Sequence, residues 1–146
     1  MKKTDLAYFA GIFDGEGCII IRKVKGYHNV MVAVANTNEW LCRQFYFSFG
    51  GGVRLRSKQI QNRQPIWAWQ AYSSDAKNTL VLLLPYLKLK KPQAEIAIRF
   101  ANRMQKKKGG RVTDGELAVR EAERLLISNY NKPLKFIESG QNPPKR

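Results

Sequence analysis

Two carboxylates set two residues apart, Asp14 and Glu16, close an otherwise apolar segment, Phe9-Ala10-Gly11-Ile12-Phe13-Asp14-Gly15-Glu16-Gly17. From Leu6 to Phe13 the stretch is apolar on every side: Leu6, Phe9, Ala10 and Phe13 share one helical face, and Ala7, Gly11 and Ile12 another. Thr4 and Asp5 supply a cap and Gly15 and Gly17 a stop, which predicts a helix over residues 5–14. With no polar stripe, that helix has to be covered on both faces. Its small residues Ala7, Ala10 and Gly11 let a second backbone come close, and with Asp14 they mark the expected contact between two copies of the chain. Glu16 falls just past the helix C-terminus, where the negative end of the macrodipole disfavours another anion. A compensating positive group is expected there, and a hard divalent cation bound by carboxylate and carbonyl oxygens is the candidate with a chemical use. Taken alone, Asp14 and Glu16 could as well be solvated caps of a helix–strand junction.

The second group of chemically suggestive residues is basic. Residues 53–58 alternate so that Arg54, Arg56 and Lys58 face one way and Val53 and Leu55 the other. Such a face suits a DNA groove, which a β-ribbon can enter. Arginine matches guanine and glutamine matches adenine, so Arg22, Arg54, Arg56, Gln59, Gln61, Arg63, Gln64 and Gln70 are candidates for base readout, joined by Lys58 and by Lys25 and Asn29 at the first hairpin. Trp67 and Trp69 share a strand face and read as its packed underside. Lys and Arg outnumber Asp and Glu by 26 to 11, a formal charge of +15, which calls for a polyanionic partner. Lys106-Lys107-Lys108 reads as a solvated face or a loop touching phosphate. No apolar run is long enough to span a bilayer and no secretory leader is evident, so no membrane partner is expected. Cys18 and Cys42 lack metal-type spacing, and His28 is the single histidine, which argues against zinc. Both thiols read as the reduced residues of an intracellular protein, in cytoplasm or a DNA-containing organelle.

The elements that must position these groups read as an α+β chain. Residues 18–25 predict a strand, Gly26-Tyr27 its turn, and 29–35 a second strand whose Val30, Val32 and Val34 face a core. Asn38 caps a helix running to about Phe47, with Trp40, Leu41, Phe45 and Phe49 inside. Strands over 53–58 and 66–72 and helices over 75–86 and 93–107 follow. The core is expected to occupy 1–108. Residues 109–146 add a helix over 114–129, packed through Leu117, Leu125 and Leu126, and a basic tail.

The segment Phe9 to Gly17 resembles, in order, the signature helix of the LAGLIDADG homing endonucleases. Pro85-Tyr86-Leu87-Lys88-Leu89-Lys90-Lys91-Pro92-Gln93-Ala94 resembles the family's stretch between its last two core helices, and Val34-Ala35-Asn36-Thr37-Asn38 the end of its second strand. The resemblance spans about residues 5–105 and implies an α-β-β-α-β-β-α core with a four-stranded antiparallel DNA-binding sheet. It also implies roles: Glu16 as the metal-binding acid beside the Gly15 carbonyl, Lys90 as the active-site lysine, and Asn36, where the family often has glutamine, as the residue that orients water. Glutamate in place of the more common aspartate at the metal position keeps a hard oxygen ligand. The implied activity is hydrolysis of both strands of a long, near-palindromic double-stranded DNA site, with two or more Mg2+ ions per dimer, or Mn2+ in their place. The signature helix occurs once, and in this family single-motif chains act as homodimers. A non-cleaving DNA-binding regulator and a maturase acting on intron RNA are alternatives on the same scaffold.

Overall fold

A computed structural model describes residues 1–58, 62–106 and 110–132. The order of elements is α1 (Lys3–Glu16), β1 (Gly17–Val24), β2 (Tyr27–Asn36), α2 (Glu39–Phe49), β3 (Gly52–Ser57), β4 (Ile66–Tyr72), α3 (Ser73–Leu83), a 3-10 turn (Leu84–Tyr86), α4 (Lys91–Lys106) and α5 (Asp114–Tyr130). The expected α+β chain with a four-stranded antiparallel sheet and an added C-terminal helix is what forms. The sheet order is β1-β2-β4-β3, so each hairpin places one strand at the centre and one at an edge.

Local chemistry explains most boundaries. The Lys2 N–H donates to Asp5 Oδ2 at 3.1 Å, opening α1 two residues earlier than the sequence suggests. At its other end α1 runs on to Glu16, and Gly17 leaves the helix directly into β1. A Cβ at Gly17 would lie 2.4 Å from the Phe13 carbonyl oxygen and 2.6 Å from its ring, so only glycine permits so sharp a helix–strand junction. The β1–β2 turn is Lys25-Gly26, one residue earlier than predicted, with φ of 48° and 82°, the positive pair that a type I′ two-residue hairpin loop requires. Asn38 caps α2 as expected, its Oδ1 accepting from the Leu41 N–H at 3.3 Å.

The helices pack on one sheet face. Ile19, Ile21, Val30, Val32, Val34, Trp69 and Ala71 meet Phe9, Phe13, Phe45, Phe49, Leu80, Leu83 and Phe100 in a single core. Trp69 belongs to this underside as read from sequence, with its Nε1–H donating to the Gly50 carbonyl at 2.8 Å. Two expectations about the core fail. Trp40 is 60% exposed, because the inward stripe of α2 is Cys42, Phe45 and Phe49. Leu117, Leu125 and Leu126 are exposed as well, since α5 turns Glu116, Arg120 and Ile127 inward instead. Arg103 from α4 meets Glu116 and Glu123, and Arg120 Nε donates to Glu116 Oε1 at 3.1 Å, so the inward charges are matched. Asn131, just after α5, donates to the Ile19 carbonyl at 2.8 Å and fastens the helix to β1. Among the described residues no helix is long and apolar enough to cross a membrane.

Candidate active site

Where α1 runs into β1, four elements meet. Glu16 is the last residue of α1, and Asn36, the last residue of β2, donates from Nδ2 to Glu16 Oε2 at 2.7 Å. The Asn36 amide is itself held, because the Asn38 N–H donates to Asn36 Oδ1 at 2.8 Å. One short segment therefore orients the acid and starts α2. Glu16 Oε1 has no protein partner among the described residues.

Lys90 arrives from the segment between the 3-10 turn and α4, and Asp14 fixes that segment. The Asp14 carboxylate accepts main-chain N–H bonds from Lys88 at 2.7 Å and Lys90 at 2.9 Å. The Lys90 ammonium donates to the Asp14 carbonyl oxygen. Lys90 thus stands beside the last turn of α1, with ammonium N–H groups left to give. Cys18 lies nearby: burial pushes its thiol up, while the Lys90 and Arg56 cations pull the other way.

The face of α1 turned away from the core differs from expectation. Ala7 and Gly11 are exposed on it, but Ala10 is fully buried and Asp14 is 8% exposed, both turned into the protomer. The helical repeat places Ile12 beside Ala7 and Gly11, as the sequence predicts, and adds Tyr8 and Gly15 to that face, while Ala10 and Asp14, expected at the same contact, lie on the inward side.

Whether a cation fits can be judged from the donors. Among the described residues no three His, Cys, Asp or Glu side chains gather anywhere. Glu16 and the Gly15 carbonyl, which lies in the last turn and has no helical i+4 partner, are hard oxygen donors suited to a Mg2+-like ion. They are too few alone, so the rest must come from water, phosphate or a second Glu16.

The sheet face opposite the core carries the candidate readers. Register places Arg22 opposite Asn29, and Gln70 between Ala33 and Gly52, with Arg54 opposite Ala68. Arg54 and Arg56 are exposed. A bulge between Leu55 and Ser57 shifts the pairing there, so Lys58, after the strand, no longer follows the simple alternation expected for it. Lys25 is exposed in the hairpin turn, and Arg63 and Gln64 are exposed in the β3–β4 connection. Gln59 and Gln61, and the tail after Lys132, lie outside the described residues. Tyr72 was missed, although it shares the parity of Gln70. The Arg22 guanidinium lies 5.3 Å from the centroid of its ring, and its hydroxyl donates to Gln70 Oε1 at 3.0 Å. An open cleft of about 410 Å³ beside them is lined by Gly52, Arg54, Gln70, Tyr72 and Asp75, among others.

The class defined by this architecture is the LAGLIDADG homing endonuclease fold. I-CvuI, solved in complex with its target in the presence of calcium, is similar with a TM-score of 0.71 and 22% identity, over 90% of this chain and 85% of that one. The archaeal intron-encoded I-Vdi141I, complexed with DNA, has a TM-score of 0.71 at 12% identity, over 90% and 87% of the two chains. I-GzeII in complex with a DNA target reaches 0.73 at 18% identity over 90% of this chain, which spans 46% of I-GzeII. No protein-family profile and no curated protein sequence matches the chain, so the likeness is one of structure.

Proposed function

We propose that this chain is a site-specific, divalent-metal-dependent endonuclease of the LAGLIDADG type, acting as a homodimer on double-stranded DNA. The observation that carries the reading is the convergence at the end of α1: Glu16 aimed by Asn36, and Lys90 anchored by Asp14, at the margin of a sheet face bearing Arg22, Arg54, Arg56 and Gln70. Glu16 and the Gly15 carbonyl would hold the ion, and a Mg2+ bound there supplies a lowered water pKa and charge neutralisation at the scissile phosphate. Asn36 holds Glu16 through Oε2, which leaves Oε1 for a ligand. Lys90 offers N–H donors to a phosphate oxygen as negative charge develops on it. The arginine-rich face supplies base contacts at fixed distances from that point. Binding at I-CvuI, I-Vdi141I and I-GzeII is to DNA, which supports the same polymer here.

The test is selection from a long randomised duplex library. Bound fragments are captured in Ca2+, exchanged into Mg2+, and scored for cleavage by wild type and by Glu16→Gln. Cleavage by wild type alone, at a near-palindromic sequence, is expected. Specific capture with no cleavage by either protein would replace the enzyme with a DNA-binding regulator. Failure to enrich any duplex would remove DNA as the partner and turn attention to structured RNA.

A further inference from the structure

On the open face, three side chains are already tied together before any ligand arrives. Arg22 stacks its guanidinium on Tyr72, and Tyr72 holds Gln70 through its hydroxyl. Tyr72 is 38% exposed, so the group remains open to a ligand on that face. Register gives its place relative to the acid. Gln70 pairs with Ala33, which pairs with Cys18, and Tyr72 pairs with Met31, which pairs with Ile20. At roughly 3.3 Å per residue these rows lie about 7 and 13 Å from Glu16 along β1. With about 3.4 Å per base step, a duplex lying along β1 would bring these rows about two and four base pairs from a phosphate held at Glu16.

The bond to Tyr72 determines what Gln70 presents. A glutamine reads adenine with both ends of its amide, the oxygen accepting from N6 and the nitrogen donating to N7. Here the Tyr72 hydroxyl takes one of the oxygen's two lone pairs and draws the oxygen to its side, so the N–H pair is the freer end of the amide for a base edge. Arg22 offers donors only, in a plane steadied by the ring. We infer that Tyr72 sets base specificity by holding Gln70 and Arg22 so that the surface presents mainly donors, which favours guanine, with acceptors at both N7 and O6, over adenine. This rests on the DNA-reading function proposed above, and it reverses the adenine preference expected for Gln70 from residue type.

The test compares wild type, Tyr72→Phe and Tyr72→Leu in the Ca2+ duplex selection, with Gln70→Ala and Arg22→Ala marking the base positions whose preference each abolishes. Wild type is expected to enrich guanine at both marked positions. Tyr72→Phe keeps the ring but loses the hydroxyl, and moves the Gln70 position toward adenine by about tenfold while the Arg22 position stays guanine. Tyr72→Leu relaxes the Arg22 position as well. Identical base preferences in wild type and Tyr72→Phe, or adenine at the Gln70 position in wild type, overturn the inference while leaving DNA recognition standing. If wild type enriches no duplex at all, DNA recognition fails and the specificity claim falls with it. Unchanged melting of Tyr72→Phe confirms that folding is not the variable.

Discussion

Asp14 and Asn36 act through their neighbours, and each has a separable signature. Asp14 satisfies two main-chain N–H groups with one carboxylate and is 8% exposed. In Asp14→Asn one of those donors would face an amide nitrogen, so a buried N–H is left unmatched at about 1–3 kcal/mol. Urea unfolding should show that loss, and cleavage should fall together with it because the Lys90 segment is released. Lys90→Met should lose cleavage with little change in the urea midpoint, and a midpoint that drops as far as that of Asp14→Asn would refute the division of labour. Asn36→Ala removes the 2.7 Å donor to Glu16. Outer partners of this kind are worth about 10–100-fold in metal affinity or activity. The Mg2+ dependence of single-turnover cleavage should therefore move to higher concentration while DNA capture in Ca2+ is retained.

At the scale of elements, α5 was the least legible part of the chain and β2 among the most. Val30, Val32 and Val34 alternate, and alternation has one simple burial solution, so their inward direction could be read directly. On α5 the usual rule that leucines face inward gives the wrong side, because Arg103 on α4 neutralises an inward Glu116 and Glu123, a partnership between helices that no local pattern announces. Lys58 escaped for a related reason: the bulge before Ser57 is a pairing event between strands. That Glu16, Asn36 and Lys90 come together at the end of α1 could be anticipated through their motif, whereas the Arg22–Tyr72–Gln70 bonding depends on register across β1, β2 and β4. The inverted α5 makes a discriminating prediction. Removing one member of a buried ion cluster costs about 3–5 kcal/mol, so Glu116→Ala should be strongly destabilising, while Leu125→Ala, at a site 49% exposed, should stay within about 0.5 kcal/mol of wild type. Thermal or urea unfolding of the pair decides between this packing and a leucine-inward helix. The same helix carries an acid-sensitive contact, since Arg124, and then His28, hold the Glu121 carboxyl well below its usual range, at about 2. A carboxyl depressed on folding stabilises above its unfolded pKa of 4.5 and loses that contribution as pH falls toward about 2. Glu121→Gln should accordingly flatten the acid limb of the stability profile.

For the whole molecule, charge and symmetry set the remaining expectations. A chain with a formal charge of +15 that contacts six to ten phosphates should lose roughly 10³–10⁵ in DNA affinity between about 50 and 200 mM salt. Fluorescence anisotropy across that range measures the slope, and a flat response would argue against phosphate as the main contact. Dimerisation gives the sharper test, because the protomer supplies one Glu16 and no gathered set of metal ligands among its described residues. A Cβ at Gly11 would meet nothing within 4 Å inside the protomer, so a side chain there starts into open space, where a second copy approaching along α1 would meet it. Replacing a helical glycine also favours the helix by up to about 1 kcal/mol. Gly11→Leu should therefore melt no lower than wild type, sediment as a monomer where wild type is a dimer, and lose double-strand cleavage. Ala10→Leu supplies the contrast: Ala10 is fully buried, and overpacking there should lower the melting temperature, by about 1–3 kcal/mol of stability. If wild type sediments as a monomer on its own cleaved DNA site, the paired Glu16 geometry is wrong, and one protomer with phosphate must complete the metal site alone.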